Sequence, residues 1–201
     1  MPKSDGLDSG MHLAPVLHTE RLLLRGHQEQ DLDDCAALWS DPEVTRYTTG
    51  TPLARQEVWT RLLRHPGHWA LFGFGYWLAF DRASGRFAGE VGIARFKRDL
   101  LLDRPALDAV PEAGWVFMPW CHGQGLASEA VRAVLEWRDT SLKAGPTFCI
   151  IQPENAPSLR LADKVGFRLD QVASHAGREW QVLMRHPEPA SSSGAQATLP
   201  D

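Results

Sequence analysis

Trp120-Cys121-His122-Gly123-Gln124-Gly125-Leu126-Ala127-Ser128-Glu129-Ala130 is the stretch that decides how this chain folds. A short strand-like run, Glu112 to Phe117, enters it, and a long helix over about 125–143 leaves it. Leu126, Ala130, Val131, Val134 and Leu135 fall on one apolar face of that helix, with Glu129, Arg132, Glu136 and Arg138 largely elsewhere. The two glycines let the backbone turn tightly and remove side chains that would block a ligand. The first N–H groups of a helix have no partner within it, and the helix dipole favours negative charge at that end. A pyrophosphate fits such a junction.

Several readings of the junction compete. A P-loop needs GxxxxGK[ST], and no such lysine is present. A dinucleotide fold needs GxGxxG within a parallel βαβ unit; here Ser128 takes the third glycine position, and the preceding strands read as an antiparallel hairpin. A coenzyme A diphosphate loop needs only exposed main-chain donors. A plain tight turn, with glycines for steric reasons alone, is the fourth reading. The junction by itself leaves the last three open.

Working outward, Leu22-Leu23-Leu24 before Arg25 predicts a strand. Asp31 offers an N-cap to a helix carrying Leu32, Cys35, Leu38 and Trp39, which Asp41-Pro42 ends. Thr51-Pro52 opens a second helix with Leu53, Val58 and Leu62 on its apolar side, closed by Pro66-Gly67. Tyr76 to Phe80 and Phe87 to Phe96 read as a hairpin around the turn 81–85. Residues 97–111 form a longer connection. After the long helix, Gly145-Pro146 leads into a strand over Thr147–Ile151. Asn155 caps a short helix that ends at Gly166, and strands near 167–174 and 179–185 close the chain around Gly177. This order predicts an α/β (α+β) domain with a central twisted mixed sheet flanked by helices.

The 201 residues favour one domain, expected over 16–186. Residues 1–15 mix Pro, Ser, Gly and Asp, residues 187–201 are rich in Pro, Ser and Ala, and both are expected to be disordered. A net charge of -4 argues against a nucleic-acid binder. No apolar run approaches the ~20 residues that span a bilayer, and the start lacks a signal-peptide core, so no membrane partner and a cytoplasmic location are expected. Cys35, Cys121 and Cys149 show neither disulfide nor zinc spacing, and no metal is expected.

His122-Gly123-Gln124-Gly125-Leu126-Ala127 resembles the coenzyme A motif [RQ]-x-x-G-x-[GA] of the GNAT superfamily of acyl-CoA N-acyltransferases. Glu112-Ala113-Gly114-Trp115 resembles the strand before that motif. Asn155-x-x-Ser158-x-x-Leu161 with Lys164-x-Gly166-Phe167 resembles the motif after it. Thr19-Glu20-Arg21-Leu22-Leu23-Leu24-Arg25 resembles the opening strand of the branch related to ribosomal-protein N-terminal acetyltransferases. The four stand in the family's order over about 17–186. Two positions depart from it: His122 replaces Arg or Gln, and Ala162 stands where many members carry a tyrosine general acid.

The resemblance implies acetyl transfer from acetyl-CoA to a primary amine, on a protein N-terminus or a small molecule, within a ternary complex. It implies diphosphate binding by His122, Gly123, Gln124, Gly125, Leu126, Ala127 and Ser128. Pantetheine would thread between two splayed strands, with Val116, Phe117, Met118 and Asn155 in contact and a main-chain N–H near Val116 or Phe117 at the thioester oxygen. Glu112 is the first candidate for general base and Glu90 the second; Ser158 is the candidate acid or water-holder. A solvated Glu112, a cross-strand role for Glu90 and a self-satisfied Ser158 are the ordinary alternatives. Cys121 beside His122 admits a covalent acyl-enzyme. For a cationic acceptor, Asp99, Asp103 and Asp108 are the acidic residues on offer. A non-catalytic acyl-CoA sensor is the alternative function and a nucleotide-dependent oxidoreductase a further rival; a homodimer is open, dimers being common in the family.

Overall fold

The computed structural model describes residues 14–143 and 145–187. The two end segments expected to be disordered lie outside these residues, except for Ala14, Pro15 and Pro187. Ala14 is buried in the core, and the Pro15 carbonyl accepts the Trp77 indole N–H at 2.7 Å, so packing is under way by residue 14.

The strands are β1 (Leu17–His18), β2 (Leu22–Arg25), β3 (Tyr76–Asp81), β4 (Phe87–Ala94), β5 (Glu112–Phe117), β6 (Thr147–Ile151), β7 (Arg168–His175) and β8 (Arg178–Arg185). They form one mixed sheet in the order β1-β2-β3-β4-β5-β6-β8-β7. Helices α1 (Leu32–Trp39), α2 (Pro42–Thr45), α3 (Arg55–Phe72), α4 (Leu126–Ser141) and α5 (Ala156–Lys164) cover it. Side chains alternate across a strand, and here each parity meets a different layer. Leu78 packs with Cys35, Leu38, Val58 and Leu62 of α1 and α3. Trp77, Ala79, Val91 and Ile93 pack with Leu126, Ala130, Val131 and Val134 of α4 and Ala162 of α5. With both faces covered, β4 is buried along its whole length.

All neighbouring strands are antiparallel except β5 and β6. β5 is matched to β4 from Glu112 to Phe117, and β6 to β8 from Thr147 to Ile151. Between β5 and β6 there is one register pair, Glu112 with Phe148. The sheet is therefore two well-paired halves that part beyond that point, as sheet twist carries them away from each other.

Three local expectations fail. α3 neither starts at Thr51-Pro52 nor stops at Pro66; it runs through Pro66 to Gly73, whose φ of 70° ends it. An internal proline costs about 3 kcal/mol, but Val58, Leu62, His65 and Trp69 keep a buried stripe on both sides of it, and packing prevails. Asp31 does not cap α1: its oxygens take both Arg25 Nη atoms at 2.6 and 2.7 Å and the Gln28 N–H at 2.7 Å. Arg138 is buried, donating to the Pro146 carbonyl at 3.2 Å. The 97–111 connection contains two 3-10 turns and buries Leu101 against Phe148 and Val182.

Candidate active site

At the strand-to-helix junction, Gly123 and Gly125 have φ of 73° and 77° and are exposed. Only glycine adopts that conformation without strain. The first bond of α4 runs from Glu129 N to Gly125 O, 3.1 Å. Among the described residues, the N–H groups of Gly123, Gly125, Leu126, Ala127 and Ser128 therefore have no protein acceptor. A Cβ at Gly123 would meet nothing within 4 Å, so the donors are approachable. His122 and Gln124 contribute differently. Their N–H groups bond to Pro119 O and Cys121 O, the Gln124 amide donates to Trp120 O at 2.5 Å, and His122 Nδ1 lies 3.8 Å from Glu43. The Leu126 side chain is core.

The turn between β1 and β2 braces this loop. Glu129 accepts the Thr19 hydroxyl at 2.5 Å, the Arg21 N–H at 2.8 Å and Arg21 Nε at 2.7 Å. Arg21 Nη1 then holds the Gln124 carbonyl at 2.9 Å. An exposed guanidinium thus stands at a loop whose expected arginine position is His122.

The parted strands assign the main-chain donors. Met118 N bonds to Ala88 O and Phe148 N to Pro111 O. Since alternate residues of a strand point their polar groups to the same side, Val116 and Met118 face β4, whereas Trp115 and Phe117 face the gap toward β6, with Ile150 facing back. Val116 is corrected on this ground: its N–H is turned to β4, and its side chain lines the cavity described next. Met118 N–H is likewise taken.

A cavity of about 510 Å³ opens on the α1–α3 side of the gap. It is lined by Glu112 to Val116, Ile150, Asn155 and Ser158, with Tyr76, Arg61, Arg64 and Arg98 opposite. Glu112 is buried, but it is not a free carboxylate: its two oxygens each take a 2.6 Å bond from Arg98. Asn155 Oδ1 caps α5 by accepting Ser158 N–H at 3.3 Å. Ala162 is fully buried in the core, so a larger side chain there would meet packed atoms rather than the cavity. The hydroxyl that does arrive is Tyr76. It sits over Gly114, where an added Cβ would overlap it. Burial, reinforced by Glu112, raises its pKa, which keeps it protonated and a donor.

Glu90 is beneath the cavity rather than in it. It accepts Trp39 Nε1 at 3.1 Å, with His27, His65 and Arg61 at 3.8–3.9 Å. Burial would raise its pKa, but the two imidazoles and Arg61 outweigh that and lower it, so Glu90 stays ionised and is a poor base. Cys121 is buried, donates toward Ala88 O at 3.4 Å, and burial pushes its thiol up to about 11. Burial outweighs the opposing charge of Arg86, and His122 is turned to Glu43.

Sequence reasoning missed Tyr76, Arg61, Arg64 and Arg98. One signal was available: Arg61, Arg64, His65 and His68 recur at three- and four-residue spacing along α3. Tyr76 carried none, since its role depends on a glycine far along the chain.

Residues 21–168 match the acetyltransferase (GNAT) domain. A solved protein from Bordetella pertussis, described as a GnaT-family acetyltransferase, is 30% identical, with a TM-score of 0.76 over 86% of this chain and 99% of its own. The uncharacterized N-acetyltransferase p20 of Bacillus licheniformis is 28% identical over 76% of this chain and 82% of its own. The ribosomal-protein-S5-alanine acetyltransferase of Vibrio fischeri, 15% identical, shares the fold at a TM-score of 0.67 over 87% of this chain and 98% of its own. An anion-ready loop after the fifth strand, a sheet that parts beside it and a cavity at the opening are what such a domain requires, and this chain belongs to the GNAT family of acetyltransferases.

Proposed function

We propose that this N-acetyltransferase moves the acetyl group of acetyl-CoA to a primary amine by direct attack within a ternary complex. One observation carries the reading. Trp115 and Ile150, which stand beyond the single register pair of β5 and β6, line the same cavity as Tyr76, Ser158 and Glu112. The diphosphate loop is separate from it, so donor and acceptor can enter from different sides.

The N–H groups of Gly123 and of residues 125–128 hold the diphosphate, at the positive end of α4. Trp115, Phe117 and Ile150 pair with the pantetheine amides, and the Phe117 N–H is the donor placed for the thioester oxygen as it gains charge. The acceptor loses its proton to water in the cavity. Glu112 lines the cavity and takes that proton by way of water, although Arg98 holds both of its oxygens. Tyr76 or Ser158 donates to the departing thiolate. Nothing in this scheme uses an enzyme nucleophile.

The test is acetyl-CoA-dependent thiol release with amines, beside calorimetry with coenzyme A. Tyr76→Phe and Ser158→Ala should each lower kcat, one of them by about tenfold or more, with unchanged coenzyme A affinity. Binding of coenzyme A without turnover of any amine would make the chain an acyl-CoA sensor instead.

A further inference from the structure

We propose that the acceptor is a small amine carrying an oxyanion, above all a carboxylate, which Arg61 and Arg64 bind. The inference rests on this cavity being the acceptor side of the acetyl-transfer site.

Arg61 is held before any ligand arrives. Its guanidinium lies 3.7 Å over the Trp39 ring, and its Nε is 3.9 Å from the buried Glu90. One turn along α3, Arg64 rests on Phe96 at 5.2 Å, and Arg98 rests on the same ring at 4.9 Å. Among the described residues, neither Arg61 nor Arg64 donates a hydrogen bond to a protein acceptor, and Arg64 pairs with no carboxylate, although both line the cavity. Arginine normally spends its fork of donors on acceptors. Two stacked guanidiniums in one cavity, Arg64 with no carboxylate partner among the described residues and Arg61 with its Nε toward Glu90, suit a bidentate oxyanion.

The acids nearby do not cancel this. Glu112 is taken by Arg98, Asp108 by Lys97 at 3.0 Å, and Glu90, 3.9 Å from Arg61 Nε, is shared with Trp39, His27 and His65. Of the three aspartates expected to attract a polycation, only Asp99 lines the cavity, and one carboxylate matches one ammonium. The phosphates of coenzyme A are not the ligand here, since no residue of 122–128 lines this cavity. The complementary ligand is a zwitterion of amino-acid type rather than a polyamine.

The experiment measures kcat/KM for matched pairs, glycine with glycinamide and phenylalanine with phenylalaninamide, beside spermidine and an acidic dipeptide. Rates are referred to the free-amine fraction, in wild type, Arg61→Gln, Arg61→Lys and Arg64→Gln. Calorimetry with coenzyme A runs on every variant. An acid should exceed its amide by about ten- to hundredfold. Arg61→Gln should erase most of that ratio by slowing the acids alone, Arg61→Lys should restore part of it, and coenzyme A affinity should not move. Equal or better use of the amides or spermidine overturns the inference and leaves acetyl transfer standing. So does turnover confined to the dipeptide, or an Arg61→Gln defect equal for acids and amides. Binding of coenzyme A with no turnover of any amine overturns both.

Discussion

Replacing Glu129 by alanine should loosen the coenzyme A loop through a residue that need not touch the coenzyme. Glu129 sits in the first turn of α4 and accepts from Thr19 Oγ1, Arg21 N and Arg21 Nε, with Arg21 Nη2 at 2.6 Å. Thr19 loses little, because its hydroxyl also reaches Leu22 O at 3.2 Å. The Arg21 side chain is 44% exposed and can rehydrate, so its ion pair counts for no more than about 1 kcal/mol. The Arg21 N–H on a carboxylate adds about 1 kcal/mol more. The sum of about 2 kcal/mol corresponds to a fall in Tm of about 4–8 °C for a domain of this size. Freed from Glu129, Arg21 no longer fixes the Gln124 carbonyl, and re-ordering about one loop residue on binding costs about 1–2 kcal/mol. Coenzyme A affinity should then drop by about five- to thirtyfold.

The pH dependence has a definite sign. Burial would raise the Glu129 pKa, but Thr19 and Arg21 more than offset it, and the folded value lies below the ordinary one. The stabilisation is therefore full above the unfolded carboxylate pKa of about 4.3 and disappears as pH falls through the folded value. Thermal unfolding of wild type and Glu129→Ala should differ near neutrality and converge in acid. A lower Tm with unchanged coenzyme A affinity would refute the bracing of the loop. No change in either would refute the whole argument.

Gly125→Asp, which strains a backbone held at a φ of 77°, should lower Tm and weaken coenzyme A binding by about tenfold or more, since it also adds negative charge where the helix end attracts the diphosphate; unaltered affinity in calorimetry would remove the loop assignment. Gly114→Ala should cost about 1–3 kcal/mol through overlap with the Tyr76 hydroxyl, read by thermal unfolding. Adding Tyr76→Phe should recover that stability without recovering turnover, whereas full recovery of both would dismiss the hydroxyl from the reaction. Glu112→Gln should slow turnover chiefly below the pKa of the amine, with coenzyme A affinity unchanged; a pH profile identical to wild type leaves water as the sole proton acceptor.

Much of the architecture was legible. Strand β5, the glycine junction and helix α4 follow from contiguous residues, because an apolar period, two glycines and a helix start are local signals. Asn155 and Gly166 bound α5 for the same reason: the Asn155 side chain caps one end, and Phe167 N to Ala162 O with Gly166 N to Asp163 O closes the other. Pro66 misled because its local penalty says nothing of the stripe from Val58 to Trp69 that holds α3 together across it.

By itself, then, the sequence determined the order of elements, the exposed donors near Gly123 and Gly125, and the family. Tertiary structure alone decided the chemistry of the cavity. Arg98 reaches Glu112 from a loop, Tyr76 reaches over Gly114 from two strands away, and Glu90 is shared among His27, Trp39, Arg61 and His65. The physical reason is that the charge state and reach of a buried polar group depend on which distant groups the fold sets against it, and no pattern of neighbours along the chain encodes those partners.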